Sequence, residues 1–434
     1  MQGKYVLPEE KSMPEKKPRS TAPRTKIHKL VFLWETIVSI FLLIGAFQFP
    51  FSLERKALLC LFGVAFLAGA VGELWARPIP RPPKRRLLWV DFLKAMCAFF
   101  IVVIHGISAA LSGEPAARPD WMGYLFLNAA TRCAVPIFIM VTGGLMLGKD
   151  ISIKEAVSRA IKAAILLVSW GLIYILAKYY IMGTNQEDIL TQILKLPVQR
   201  GPSGYLWYSY LIVWVFLFLP VLQKLYRVLN KKERLYFIGL TLLLPGILDF
   251  YGKVMGFKTS GLLMQPFSLY MTPAYMGMLF IGKMIFENQE FIQNKKGFSL
   301  AVTASGLGLT MILTYQSSLG AGKLSDLYLS ETNIFVLTYS VGVLALVCAM
   351  QHSLERIPER VRSGIERISR LSLGIYFFHV LVIWTMGDIS IGRLCLDRQQ
   401  SPVSALLLCV IYYGFSVLGM HLFSKVPFLR KFIM

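Results

Sequence analysis

RRLLWVDFLKAMCAFFIVVIHG, residues 85–106, is apolar enough to cross a bilayer, yet it contains Asp91, Lys94 and His105. A charged side chain in the hydrocarbon region costs about 2.5–3.5 kcal/mol on insertion scales, so such residues face other helices, water or a ligand path. On a helix turning about 100° per residue, Lys94 and His105 fall within about 20° of each other, roughly 16 Å apart along the axis. Asp91, at i−3 from Lys94, lies on a neighbouring face within pairing distance. The segment therefore reads as a membrane-spanning helix with one polar side.

The rest of the chain agrees with a membrane assignment. Of 434 residues, 55% are hydrophobic, 13% aromatic and 16% charged, whereas a soluble protein carries about 25% charge. The net charge of +22 does not indicate nucleic acid, because it sits in short loops between apolar runs, where membrane topology accounts for it. Cys60, Cys97, Cys133, Cys348 and Cys409 lie in apolar runs and Cys395 in a loop. Their spacing suggests neither a disulfide framework nor a metal site.

Runs long enough to span occur at 29–50, 57–76, 87–109, 122–147, 155–181, 205–229, 235–251, 263–286, 298–316, 333–350, 371–389 and 402–423. An all-α, polytopic helical bundle of twelve spans is expected. Counting loops alternately with the first inside gives 33 Lys and Arg inside, 10 outside, and Lys94, Arg132 and Lys178 within spans. That imbalance predicts both termini in the cytoplasm of a multi-pass cell-membrane protein. Residues 1–28 are basic and Pro-rich and read as a disordered cytoplasmic tail. Residues 29–76 form a two-helix appendage, RPIPRPPKRR (77–86) a stiff linker, 87–423 a ten-helix core and 424–434 a short cytoplasmic tail.

Further polar residues fall inside the core. The second core span, NAATRCAVPIFIMVTGGLML, places Arg132 near mid-membrane; Pro136 frees a backbone carbonyl, and Gly143-Gly144 permits close approach of a helix or ligand. GYLWYSYLIVWVFLFLP brings Tyr205, Trp207, Tyr208 and Tyr210 to the outer interface, and LSLGIYFFHVLVIW carries Tyr376 and His379. Structural readings stand beside functional ones. Asp91 and Lys94 fit a helix-start ion pair with a snorkelling lysine, the histidines fit interhelical hydrogen bonds, and Trp207 with Tyr208 fits an aromatic belt. Arg132 resists such a reading, because a permanent charge at that depth needs an anion or water. No phosphate-cradling Gly-rich loop, HExxH or GxSxG elbow is present.

Together these segments resemble the acyltransferase 3 family of membrane acyltransferases. Asp91, Leu93, Lys94 and His105 match its first core helix, and Arg132 with VPIFIMVTGG its second. YLWYSYLIVWVFLFLP resembles its H-L-W-[FY]-L-x-x-L segment, and SLGIYFFHVLVIW its closing S-x-G-I-Y-x-x-H motif. Two positions depart from the pattern. Lys94 stands where an arginine is common, and Tyr205 where many members have histidine. The two leading spans also fall outside the usual ten.

The resemblance implies transfer of an acyl group, commonly acetyl from acetyl-CoA, to a hydroxyl of a cell-envelope glycan or related acceptor. In that reading acyl-CoA is a co-substrate and nothing is bound tightly. Lys94 and Asp91, with Arg132 and Tyr376, line the coenzyme path, and Tyr205, Trp207 and Tyr208 meet the acceptor. His105 is the general base, since an imidazole suits that task near neutral pH, or a covalent acyl carrier. Arg132 attracts the coenzyme's phosphates or stabilises an oxyanion, and His379 assists. The partners implied are a lipid bilayer, acyl-CoA and a hydroxyl-bearing acceptor, with no nucleic acid. With few residues after the last span, the core is expected to act without an appended soluble domain or with a separate protein. A transporter or flippase for a glycan or lipid-linked precursor is the main rival; a non-catalytic membrane subunit is a third.

Overall fold

Helix ends in this chain follow its prolines, asparagines and glycines. The structure, a computed structural model, describes residues 86–113, 116, 118–180, 191–192, 196, 204–255, 273–387, 390–391, 394–395 and 401–425. The chain divides into two units, Met1–Arg81 with Val426–Phe428, and Pro82–Lys425 with Leu429–Met434. The first unit, with the tail and two-helix appendage expected there, lies outside the described residues, as do most of the linker and the last nine residues.

The second unit opens with α1 (Leu88–Gly106) and a short continuation, α2 (Ser108–Gly113). The next expected span is broken into α3 (Trp121–Thr131) and α4 (Ala134–Met146). Pro136 is the cause. It has no N–H to give to the carbonyl four residues back, which is that of Arg132. The helix tightens there, with the Arg132 amide bonding the Ala129 carbonyl at 3.2 Å, and restarts at Ala134.

Helices α5 (Ile153–Tyr180), α6 (Trp207–Val228), α7 (Lys231–Val254), α8 (Pro273–Glu287) and α9 (Gln289–Gln293) follow, α6 being led by a 3₁₀ turn at Gly204–Leu206. Helix α10 (Lys296–Ala321) ends at Gly322, whose φ of 67° only glycine adopts without cost. Asn333 caps α11 (Ile334–Ala349), its side chain accepting from the Phe335 amide at 2.9 Å. After α12 (Gln351–Glu355) comes α13 (Glu359–Gly387), then α14 (Pro402–Lys425), which starts on a proline as first helical turns permit. Among the described residues the only strands are the antiparallel pair β1 (Ser390–Ile391) and β2 (Leu394–Cys395).

The molecule is thus an all-α helical bundle. Among the described residues, ten helical segments stand where the ten core spans were expected, and seven are long and apolar enough to cross a membrane. The others are α7, which starts on charged residues, and α8 and α11, at 15 and 16 residues. Several helices run a few residues past their expected ends, and one start differs by more. Helix α13 begins twelve residues before the expected 371, because Glu359 pairs with Arg362 at 3.5 Å and Glu366 with Arg370 at 3.2 Å along one face. Such i,i+3 and i,i+4 pairs carry a helix out of the hydrocarbon into solvent.

Helix α1 lies at the centre, packed against α3, α4, α13 and α14. Large apolar residues face outward on the peripheral helices, such as Ile161 and Ile165 on α5, Leu243 and Ile247 on α7, and Leu407 on α14. In water such a surface would aggregate; in lipid it is the solvated face. Glycines bring two helix pairs to backbone contact. A Cβ on Gly143 of α4 would overlap the Leu279 carbonyl of α8, and one on Gly282 of α8 would overlap the Met140 carbonyl. Gly306 on α10 and Gly342 on α11 meet backbone and side-chain atoms of the partner helix, at 2.7 Å and 2.5 Å for an added Cβ. Small residues at helix crossings are how bundles pack in lipid, where no hydrophobic drive exists between helices.

Candidate active site

At the C-terminal end of α1, His105 meets His379 of α13 with ring centroids 5.3 Å apart and planes tilted by 32°. The Nδ1 of His379 lies 2.7 Å from the Tyr376 carbonyl and 3.2 Å from that of Ile375. Carbonyl oxygens only accept, so Nδ1 carries the proton and Nε2 presents a lone pair. That Nε2 is buried and has no hydrogen-bond partner among the described residues. A lone pair shielded from water is ready to accept a proton or a hydrogen bond. Tyr205 closes one side, its ring edge-on to His105 at 4.7 Å, and its carbonyl accepts from the Tyr376 hydroxyl at 2.7 Å.

Arg132 sits at the α3–α4 break, within electrostatic reach of His105. Its Nε donates to the buried Asn128 Oδ1 at 2.9 Å. The carboxylates of Glu331 and Asp326 act on the guanidinium through charge, and it forms no ion pair among the described residues. The guanidinium is therefore held at one edge, with the rest of its donor fork uncommitted to carboxylate.

The other end of α1 holds Asp91 and Lys94. Here one expectation is corrected. Asp91 does not pair with Lys94; its carboxylate accepts from Arg86 through both oxygens, at 2.8 Å from Nε and 2.5 Å from Nη2, and from the Ser369 hydroxyl. Arg86 outcompetes Lys94 because its planar fork matches a carboxylate. The bond to Asp91 in turn holds the guanidinium above the usual arginine range. Lys94, half-buried, feels Asp91 and Arg86 through charge and has no ion pair among the described residues.

Between the two ends lies an aromatic wall. The Tyr208 ring meets Tyr376 edge-on at 5.5 Å, and Trp207 stacks near Tyr275 at 6.3 Å. Tyr275 donates to Glu331 at 3.0 Å, which ties the wall to the segment acting on Arg132. A family model for an acyltransferase domain, acyltransferase 3, matches residues 87–423. The chain belongs to the acyltransferase 3 family. No curated protein and no solved structure matches it.

In this membrane acyltransferase, then, His105, His379, Tyr205 and Tyr376 come together at one end of the central helix, with Arg132 within electrostatic reach of His105. Asp91 and Lys94 stand at the other, and Trp207 and Tyr208 lie alongside. Sequence reasoning missed Arg86, Ser369, Asn128, Glu331 and Tyr275. Arg86 precedes α1 and lies five residues before Asp91, an offset that helical periodicity does not pair. Ser369 and Glu331 reach the site only through the tertiary fold.

Removing the Asp91 carboxylate leaves the Arg86 guanidinium and the Ser369 hydroxyl unpaired. Asp91→Ala should therefore lose about 1–3 kcal/mol, the cost of orphaned partners. The melting temperature in detergent should drop by several degrees, and Arg86→Ala should do less, since Arg86 is one-third exposed. An unchanged melting temperature in both variants contradicts this assignment.

Proposed function

We propose that the protein is an O-acyltransferase of the cell membrane. It moves an acetyl group from cytoplasmic acetyl-CoA to a hydroxyl of a cell-envelope glycan or related acceptor on the opposite side. The observation that carries this reading is the His105–His379 pair, 5.3 Å apart, with the lone pair of His379 Nε2 buried and the Arg132 charge within electrostatic reach of His105. Family membership supports transfer chemistry over a flippase.

The reaction needs a base, an oxyanion stabiliser and a route for a polyanionic donor. With both termini cytoplasmic, the Asp91 end of α1 faces inside, and Lys94 attracts the coenzyme's phosphates as a point charge. The acetyl thioester lies along the α1 face between Lys94 and His105, a rise of about 16 Å at 1.5 Å per residue. His105 takes the acceptor hydroxyl's proton as its oxygen bonds to the acetyl carbon. His379 keeps its Nδ1 proton on backbone carbonyls, which leaves its unpartnered Nε2 free to receive a proton from His105. The guanidinium of Arg132 stabilises the tetrahedral oxyanion; its charge acts on His105, whereas the charges felt by Lys94 are those of Asp91 and Arg86, which supports this role over phosphate binding. Collapse expels the coenzyme thiolate, which takes up the proton and leaves as CoA, while the ester stays on the acceptor. Tyr205, Trp207 and Tyr208 offer flat apolar faces to the acceptor.

Acetyl-CoA should raise the melting temperature of the purified protein, because a ligand bound only by the folded state stabilises it. A shift absent at millimolar acetyl-CoA removes the donor assignment. Kinetics separate the two cations. Arg132→Lys should lower kcat by about 10²–10³-fold, the cost of an oxyanion donor. Lys94→Gln should raise KM for acetyl-CoA with kcat largely kept. The reverse pattern exchanges their roles.

A further inference from the structure

Apart from the polar core, a groove of about 630 Å³ lies between the first turns of α5 and the second half of α6. One wall is apolar and turned outward. Ile153, Val157, Leu217 and Val221 are 71%, 40%, 40% and 62% exposed, on faces that look away from the bundle. The other end is polar, formed by Lys224, one turn beyond Val221 on α6, and by Arg227 ion-paired with Asp150.

That polar end is rigidly framed. The buried Gln223 donates from Nε2 to the Met146 carbonyl at 2.8 Å and accepts from the Ile151 amide at 3.4 Å, clamping the 147–152 linker. Arg227 donates to the Lys149 carbonyl at 2.9 Å and to Asp150 Oδ1 at 3.0 Å. Lys224 is exposed and forms no ion pair among the described residues. Pro220 lines the groove and gives no hydrogen bond back to the Phe216 carbonyl.

A soluble anion would leave the apolar wall bare, and an uncharged lipid would leave Lys224 without a partner. An amphiphile with a phosphate at one end and an acyl chain at the other satisfies both. The change from Val221 to Lys224 takes one helical turn, which is where hydrocarbon gives way to headgroups along a span. We propose that this groove binds one anionic phospholipid of the membrane, its phosphate at Lys224 beside the Arg227–Asp150 pair and a chain along Val221, Leu217 and Val157. The site lies outside the His105–His379 centre and is a lipid-binding site distinct from donor and acceptor.

Native mass spectrometry of the intact protein with phosphatidylglycerol and phosphatidylcholine tests this. The expected result is one tightly retained phosphatidylglycerol, preferred over phosphatidylcholine, with retention weakened about fivefold in Lys224→Gln, the effect of one lysine near an anionic surface. Val221→Gln keeps the charges and spoils the apolar wall, and should weaken retention as well; both positions are exposed, so folding tolerates either change. Equal retention of the two lipids, or full retention in both variants, overturns the proposal. So does displacement by glycerol 3-phosphate or by CoA at equimolar concentration, since either would mark a site for soluble phosphates.

Discussion

His105→Ala is expected to lose acyl transfer by roughly 10²–10⁴-fold, the range a positioned general base contributes, with expression and membrane insertion intact. The side chain sits at the last turn of α1, facing the Tyr205 and His379 rings rather than filling the densest core. Its removal therefore leaves helix packing in place. The loss should fall on kcat more than on KM for the donor, because the imidazole acts on the acceptor hydroxyl. His379→Ala should also lower kcat, and it should cost stability as well, since His379 is fully buried and its removal opens a cavity. If His105→Ala turns over at the wild-type rate, the base lies elsewhere. If His379→Ala alone abolishes transfer, the two roles are exchanged.

The second large effect is structural. Gly143→Ala and Gly282→Ala each insert a Cβ into a backbone carbonyl of the facing helix, so α4 and α8 must separate along their whole contact. A flexible side chain can move aside; a hydrogen-bonded helix backbone cannot. Overpacking of this kind costs about 3 kcal/mol or more, enough to leave little folded protein of marginal stability. Gly308→Ala on α10 is the control, because nothing lies within 4 Å of its added Cβ. That variant should be neutral or stabilised by about 0.4–1 kcal/mol. Size-exclusion profiles and thermal melts in one detergent distinguish these outcomes. Equal behaviour of all three variants would show that α4 and α8 are not in backbone contact.

Much of this architecture was legible because hydrocarbon is a demanding solvent. Twenty apolar residues with charged flanks have few alternatives to a spanning helix, whereas the break at Arg132 lay inside one expected span, where Pro136 signalled a freed carbonyl but not a second helix. Gly143-Gly144 signalled close approach, although only the structure shows Leu279 as the residue met. The pairing of Asp91 was misread because periodicity sees neighbours on one helix and is blind to Arg86 folding back from the linker. Hydropathy likewise cannot follow α13 into solvent, where its ion pairs rather than its apolar residues hold the helix. The meeting of His105 with His379 has no local signal, since the residues are 274 positions apart; the family resemblance marked each as a candidate but not that they meet.

The central claim is that one helix end takes acetyl-CoA and the other delivers the acetyl group. The most direct measurement is radiolabelled acetyl-CoA turnover by purified wild-type protein in proteoliposomes, with donor on one side and hydroxyl acceptors on the other. The account predicts CoA release with label appearing across the membrane, from one protein orientation only, and neither in His105→Ala. Label remaining on the donor's side, or release unaffected by the loss of His105, would contradict it.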